Sequence, residues 1–265
     1  MTKLAGARVL IAGGSKGIGA AFAREAVASG ARVALLARGE DALRTTAVEL
    51  GADWRAVDVT DAAGATAAIA DLEAEGGGFD IVLASAGGAL PARFLDAPLE
   101  EFRNQIEVNY LGAIIVAKAV LPGMVARGRG HMVFTSSTAG LIGVVGYTGY
   151  SPAKFAIRGL ADSLRYEVEP TGVRVSVLYP PDTETPGFEA ENLRKPPETA
   201  AVSGSIKPLP VQRVARALVK GVEANRDNIA VDGLTKALIP LGGVLEPLAR
   251  GGLRRTIAKA LARES

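Results

Sequence analysis

Tyr150 and Lys154 stand four residues apart in the stretch Tyr150-Ser151-Pro152-Ala153-Lys154, and Ser137 lies thirteen positions upstream. On a helix, residues four apart share a face, so the lysine ammonium comes beside the phenol. A free phenol titrates near ~10, and a cation within a few ångströms favours the phenolate and brings that value toward neutral pH. A tyrosine placed in this way can give a proton to a carbonyl oxygen or take one from an alcohol. Tyr147, three residues earlier, has no lysine four positions on.

The composition narrows the chemistry around this pair. The 265 residues contain no cysteine, which removes disulfides, thiolate zinc sites and cysteine nucleophiles. His131 is the only histidine, so multi-histidine metal sites are excluded, and no metal site is expected. It precedes the apolar run Met132-Val133-Phe134, where a structural place at a strand edge is expected rather than a part in a Ser-His-Asp triad. A net charge of +2 gives no reason to expect nucleic acid as a partner. The charge is uneven, however: from Val211 onward there are ten Lys/Arg against five Asp/Glu. The N-terminal residues run straight into an apolar strand and lack a signal-peptide core, and a cytoplasmic protein is the expectation.

Something must bring a second reactant to the tyrosine, and the N-terminal third supplies a candidate. The apolar run at residues 8–12 ends in Gly13-Gly14-Ser15-Lys16-Gly17-Ile18-Gly19, after which residues 20–29 read as a helix. Strand, glycine turn and helix form the setting in which a backbone loop cradles a dinucleotide pyrophosphate. Gly13 allows the tight turn, Gly17 a close backbone approach to phosphate, and Gly19 close packing of helix on strand. The spacing is G-x3-G-x-G and not the commoner G-x-G-x-x-G, and glycine-rich turns without a ligand also occur. A second strand at residues 32–37 ends at Arg38, where an acid would select NAD and a base the 2′-phosphate of NADP. Arg38, with Lys16 in the loop, points to NADPH. A solvated surface role for both is the alternative, and nearby Glu40 and Asp41 leave NAD open.

The pattern repeats. Residues 53–59 read as a third strand closed by Asp58, which either accepts from the adenine amino group or serves as a cap or turn acid. A helix at residues 62–74 leads to a fourth strand at 81–84, ending in Ser85-Ala86-Gly87-Gly88, where small residues leave room for a cofactor. Residues 101–124 form one long helix or two abutting ones, with Asn109 inside as a packed polar residue. A fifth strand at 132–135 delivers Ser136 and Ser137 to its carboxyl end, where open parallel sheets bind ligands. A helix over residues 147–169, a sixth strand at 174–179, a helix at 211–224 and a last strand at 228–231 follow. Residues 180–210 show no compelling periodicity and read as a mobile, proline-rich flap over the site. The expectation is a single doubly wound α/β domain over residues 1–232, a parallel sheet of about seven strands with helices on both faces, and a tail at 233–265.

Taken together, the glycine loop after strand one, Asn109 in the fourth helix, Ser137 after strand five and Tyr150-x3-Lys154 after it resemble the short-chain dehydrogenases/reductases, from residue 3 to about 231. That resemblance implies a Rossmann-type fold and hydride transfer between a nicotinamide and a carbonyl carbon. It implies Tyr150 as acid/base, Ser137 holding the substrate oxygen, and Lys154 binding the nicotinamide ribose and lowering the tyrosine's pKa. Asn109 would anchor a water joining Lys154 to bulk. Cofactor contacts are implied at Gly13, Ser15, Lys16, Gly17, Ile18, Gly19, Arg38, Asp58, Val59, Ala86, Gly87, Tyr150, Lys154 and Pro180. The usual threonine before the first glycine is here Ala12, and the usual Asn-Ala-Gly after strand four is Ser85-Ala86-Gly87. Dimers or tetramers are common in the family.

After the sixth strand, Pro180-Pro181-Asp182-Thr183-Glu184-Thr185-Pro186-Gly187-Phe188, then Glu191-Asn192 and Lys195-Pro196-Pro197-Glu198-Thr199, resemble the 3-ketodihydrosphingosine reductase branch of that family. The resemblance implies a long-chain keto-lipid as substrate and NADPH as reductant, with Thr183 and Thr185 where the family holds the nicotinamide carboxamide. Another ketone, such as a 3-oxoacyl thioester, a steroid or a small sugar ketone, is the alternative, as is a non-catalytic NADP-binding sensor. The tail is apolar over residues 234–253 but interrupted by Pro240 and Pro247, so no membrane-spanning segment is expected. Beyond it Leu253, Ile257 and Leu261 recur every four residues among Arg254, Arg255, Lys259 and Arg263. Such a helix either lies on an anionic membrane face or packs on the body or a second subunit.

Overall fold

Five consecutive buried residues, Arg8–Ala12, form β1 in the middle of the sheet. A strand covered on both faces shows no polar side, which is why its sequence is nearly unbroken in hydrophobicity. The computed structural model describes residues 1–204 and 207–262, so Arg263 and residues 205 and 206 of the expected flap lie outside the described residues.

After β1 the chain continues through α1 (Gly17–Ala28), β2 (Arg32–Ala37), α2 (Glu40–Leu50), β3 (Asp53–Ala56), α3 (Ala62–Gly76) and β4 (Ile81–Ala84). Next come α4 (Leu99–Ile106), a π turn at Glu107–Leu111, α5 (Gly112–Ala126), β5 (Gly130–Thr135), α6 (Tyr150–Val168) and β6 (Val173–Tyr179). The remainder is β7 (Thr183–Glu184), α7 (Pro186–Asn192), α8 (Pro197–Ser203), β8 (Leu209–Pro210), α9 (Val211–Glu223), β9 (Asn228–Ala230) and α10 (Gly233–Leu261).

Seven strands form one sheet in the order β3-β2-β1-β4-β5-β6-β9, every pair parallel. Alternation along β1 feeds the two faces: Leu10 and Ala12 pack with Val116 and Ile157 of α5 and α6, whereas Val9 and Ile11 pack with Phe22 and Leu218 of α1 and α9. The chain winds outward first through β2 and β3, then in the opposite direction through β4, β5 and β6. That reversal opens a crevice beyond the carboxyl ends of β1 and β4, the usual ligand position of such sheets.

The structure departs from the sequence reading in several places. β3 ends at Ala56, so Asp58 sits in the loop beyond it. The apolar region around Asn109 is two helices joined by the π turn, and α6 begins at Tyr150, not at Tyr147. Leu99–Ala126 is long and apolar enough to cross a membrane by length and composition. Its Val116, Ala117, Val120 and Met124 belong to the core beside the sheet.

Residues 180–210 are not devoid of regular structure. Thr185 caps α7 by accepting from Phe188 N at 3.1 Å, prolines open both α7 and α8, and β7 pairs with β8. Buried Glu198 of α8 holds Arg93 in a two-pronged ion pair at 2.8 and 3.0 Å, and Thr199 donates to Val145 O. Nor do Pro240 and Pro247 break the tail: α10 runs through both for 29 residues. Asp232 caps it by accepting from Thr235 N at 2.7 Å, and Leu238 enters the core, so local packing outweighs the hydrogen bonds that two prolines remove.

Candidate active site

One cavity of about 820 Å³ occupies the crevice, running from Arg38 and the glycine loop past Tyr150 to Leu253 and Thr256 of α10. Its floor is set by close backbone packing. Gly13 has a positive φ, and a Cβ there would lie 2.7 Å from Ala86 N, while a Cβ on Gly19 would strike Gly13 O. These positions therefore demand glycine for the β1 turn, the β4 turn and α1 to meet. Lys16 at the N-cap of α1 makes no side-chain cap, so among the described residues the first N–H groups of the helix are unclaimed by a side chain where Lys16 and Gly17 line the cavity. An anion fits at that place, as dinucleotide phosphates do at helix N-termini. The loop, the small residues Ala86 and Gly87 and the cation Arg38 thus suit a dinucleotide cofactor.

Every residue expected to contact cofactor lines this cavity, and so does Ser137. Asn109 does not. Arg38 is two-thirds exposed and its Nη1 lies 3.4 Å from Asp58 Oδ2. Asp58 Oδ1 accepts from both the N–H and the hydroxyl of Thr60, at 2.9 and 2.8 Å. Burial pushes the Asp58 carboxyl up, but the Thr60 bonds and Arg38 outweigh it and leave it below its ordinary value. Asp58 is therefore a turn acid that also borders the cavity; Asp61, not Asp58, caps α3. Thr183 Oγ1 donates to Pro181 O at 2.7 Å, and the Thr185 methyl approaches Gly17, so the flap meets the glycine loop directly.

The reacting groups are brought together by β5 and α6. Ser137 stands just past β5, and its Oγ accepts from Ala139 N at 3.1 Å, which leaves its proton to donate. The Ser137 hydroxyl acts on the Tyr150 phenol in the direction that favours its ionised form. Lys154 is 4% exposed, its Nζ donates to Thr135 O at 3.0 Å, and it lies 5.5 Å from the centre of the Tyr150 ring. Burial brings Lys154 down to about 8.

Tyr150 differs from the expectation. Burial, then the charge of Glu191, hold its phenol above the ordinary range, and the Ser137 hydroxyl only partly offsets them. The expected lowering by Lys154 is absent because desolvation disfavours the phenolate more strongly. The phenol is accordingly protonated at neutral pH, the form that gives a proton to a carbonyl oxygen.

Asn109 sits in the π turn, 2% exposed. Its Oδ1 accepts from Gly88 N at 3.1 Å and its Nδ2 donates to Gly88 O and Gln105 O, both at 3.0 Å. One amide hydrogen thus clamps the turn after β4 at Gly88 and the other ties the side chain to Gln105 of α4, so the observed contacts are positional. A Cβ on Gly87 would strike Asn109 Oδ1, which explains the glycine. His131 is fully buried within β5 and not at an edge: Nδ1 meets Thr2 Oγ1 at 3.1 Å and Nε2 meets Ser176 Oγ at 2.7 Å. Burial, with Arg174 nearby, lowers it to about 4, so it is a neutral core residue.

Sequence reasoning missed a polar network facing Tyr150 from the flap. The Tyr147 phenol donates to Glu191 Oε1, and the Tyr147 and Tyr150 ring centres are 5.8 Å apart. Lys195 lies 3.2 Å from the same Glu191 oxygen and donates to Ser203 Oγ at 2.9 Å, which donates to Asp182 Oδ2 at 2.7 Å. Burial pushes the Glu191 carboxyl up, against the pull of Tyr147 and Lys195. Tyr147 was legible only as a residue without a partner lysine, since its partner lies 44 residues away. Beyond the network the cavity wall is apolar, with Ile142, Val202, Leu238 and Leu253.

A family profile described as short chain dehydrogenase matches residues 7–196. A "3-ketodihydrosphingosine reductase" of Dictyostelium discoideum is 36% identical, the match covering 92% of this chain and 80% of that protein. The protein of the same name from Bos taurus is 38% identical over 96% of this chain and 83% of its own. A "3-dehydrosphinganine reductase" of Danio rerio is also 38% identical, over 97% and 83%. Among solved structures, a short-chain dehydrogenase from Streptomyces avermitilis superposes with a TM-score of 0.79 at 26% identity, covering 98% of this chain and 99% of that one. One from Burkholderia phymatum, solved in complex with NAD, gives 0.81 at 23% identity over 91% and 94%. The chain therefore belongs to the short-chain dehydrogenase family and is an oxidoreductase that works with a nicotinamide cofactor.

Proposed function

We propose that this protein reduces the 3-keto group of a long-chain 2-amino ketone, 3-ketodihydrosphingosine, with NADPH. One observation carries the reading: a single cavity joins the glycine loop, Tyr150 and an apolar wall built by α10, in a chain whose relatives at 36–38% identity bear that reductase's name. A small polar ketone has no use for the wall at Leu238 and Leu253, whereas an aliphatic chain gains by burying against it. Arg38 and Lys16, both bordering the cofactor end of the cavity, favour the 2′-phosphate of NADPH.

Bound nicotinamide supplies the hydride that the carbonyl carbon accepts. Ser137 donates its hydroxyl hydrogen to the carbonyl oxygen and fixes it beside Tyr150, which gives that oxygen a proton as the carbon is reduced. Lys154 spends one N–H on Thr135 O and keeps the others for the nicotinamide ribose and for returning a proton to Tyr150. Asn109 keeps the Gly87-Gly88 turn in place against the cofactor. Thr185, at the flap's contact with the glycine loop, and Thr183, which also lines the cavity, would hold the nicotinamide end. The exposed cations Arg254, Arg255 and Lys259 of α10 give the protein a peripheral hold on an anionic membrane face, where such a substrate resides.

The test is NADPH consumption by the purified protein with a long-chain 2-amino-3-ketone, a 3-oxoacyl thioester and a short soluble ketone. The amino ketone is expected to turn over fastest, and Tyr150→Phe to lower kcat by about 10²–10⁴. Full activity in that variant refutes the mechanism, and faster turnover of the short ketone refutes the lipid substrate.

A further inference from the structure

We propose that Glu191 and Asp182 read the ammonium group that neighbours the reacting ketone, which makes Glu191 a specificity-determining residue; the inference rests on the amino-ketone reading above. Both carboxylates border the cavity that holds Tyr150. Tyr147, one turn ahead of α6, fixes Glu191 through its phenol, and the Tyr147 and Tyr150 rings are 5.8 Å apart. The acid is thereby held about one side chain from the proton donor. A 2-amino-3-ketone carries its ammonium on the carbon next to the carbonyl. With its oxygen at Ser137 and Tyr150, that ammonium falls on the Glu191 side of the cavity if the chain follows the apolar wall.

The network is left unfinished in a way that suits a cation. Tyr147 and Lys195 both engage Glu191 Oε1, and Ser203 engages Asp182 Oδ2. Glu191 Oε2 and Asp182 Oδ1 take no hydrogen bond among the described residues, and neither is sealed from the cavity. Glu191's side chain is only 15% exposed and that of Lys195 3%. Two carboxylates against the single buried ammonium of Lys195 leave one negative charge in excess beside an apolar wall, where an unmatched charge is costly. An incoming ammonium completes the pairing. Of the other cations on the cavity, Lys154 lies by the Tyr150 ring, Lys16 and Arg38 stand at the cofactor end, and Lys207 is exposed to solvent. The charge of Glu191 also helps to keep the Tyr150 phenol protonated before substrate arrives.

The experiment compares kcat/KM at saturating NADPH for three long-chain 3-ketones: the free 2-amine, its N-acetyl amide and the compound without nitrogen. Wild type, Glu191→Gln, Glu191→Asp and Asp182→Asn are assayed, with thermal melting as a control on folding. The wild type should prefer the free amine, and Glu191→Gln should compress the ratio of amine to nitrogen-free ketone about tenfold, equal to about 1.4 kcal/mol. Glu191→Asp should restore much of it. A carboxylate that only latches the flap would affect all three ketones alike, so an unchanged ratio in Glu191→Gln overturns the proposal. Where Glu191→Gln fails to fold, the ratio in Asp182→Asn decides in the same sense. Equal wild-type use of all three ketones, or preference for the amide, overturns this inference while leaving the reductase reading intact. Turnover of none of them overturns both.

Discussion

Replacing Arg38 by alanine should cost affinity for NADPH and leave NADH nearly untouched. Arg38 sits just past β2, two-thirds exposed, its Nη1 3.4 Å from Asp58 Oδ2. A 2′-phosphate carries about −1.5 to −2 charge at neutral pH and offers three acceptor oxygens. A hydrogen bond to a charged group is worth about 1.5–3 kcal/mol, and exposure and salt place this one at the lower end. Asp58 already holds the guanidinium, so the gain is the difference between a phosphate and a single carboxylate contact. About 1.4 kcal/mol, or roughly tenfold, is the expected rise in KM for NADPH in Arg38→Ala, with Lys16 retaining part of the preference. The KM for NADH should move less than about twofold, because its 2′-hydroxyl takes nothing from the guanidinium charge. Initial rates with each cofactor at a fixed ketone concentration give both constants. Raising the salt concentration should weaken NADPH in the wild type and much less in the variant. Equal losses for the two cofactors, or better use of NADH by the wild type, would refute the assignment.

Two more expectations concern Lys154 and α10. Burial lowers Lys154 to about 8, so it is charged below that pH and neutral above it; kcat/KM for ketone reduction should fall about tenfold per pH unit as pH rises through 8. Lys154→Arg, which stays charged, should lose that limb while working more slowly, and a flat profile in the wild type would exclude Lys154 from proton supply. Changing Arg254, Arg255 and Lys259 of α10 together to glutamate should abolish co-sedimentation with anionic vesicles, since each basic residue near such a surface contributes about 1 kcal/mol. Identical sedimentation of wild type and triple variant would remove the membrane contact.

What the sequence made legible was whatever depends on neighbours in the chain. Glycine spacing, an apolar run and a lysine one turn after a tyrosine each act over a few residues, and the β1 loop and the Tyr150–Lys154 pair stand where those signals point. The flap was less legible although its local signs were present: Thr185 before Pro186 is a helix cap followed by a first-turn proline, and α7 begins there. In α10 the prolines misled, because the gain from Leu238 in the core and from the Asp232 cap is invisible to a rule about backbone hydrogen bonds. Least legible were the contacts that give the cavity its character. Arg93 meets Glu198 across 105 positions and Tyr147 meets Glu191 across 44, distances at which sequence spacing carries no geometric information. The same network reverses the expected sign at Tyr150. A lysine one turn away argues for a lowered phenol, but burial and the charge of Glu191, which comes from α7 of the flap, raise it. Catalytic type is therefore written in local spacing, whereas the protonation state of the donor depends also on Glu191, a residue far away in the chain.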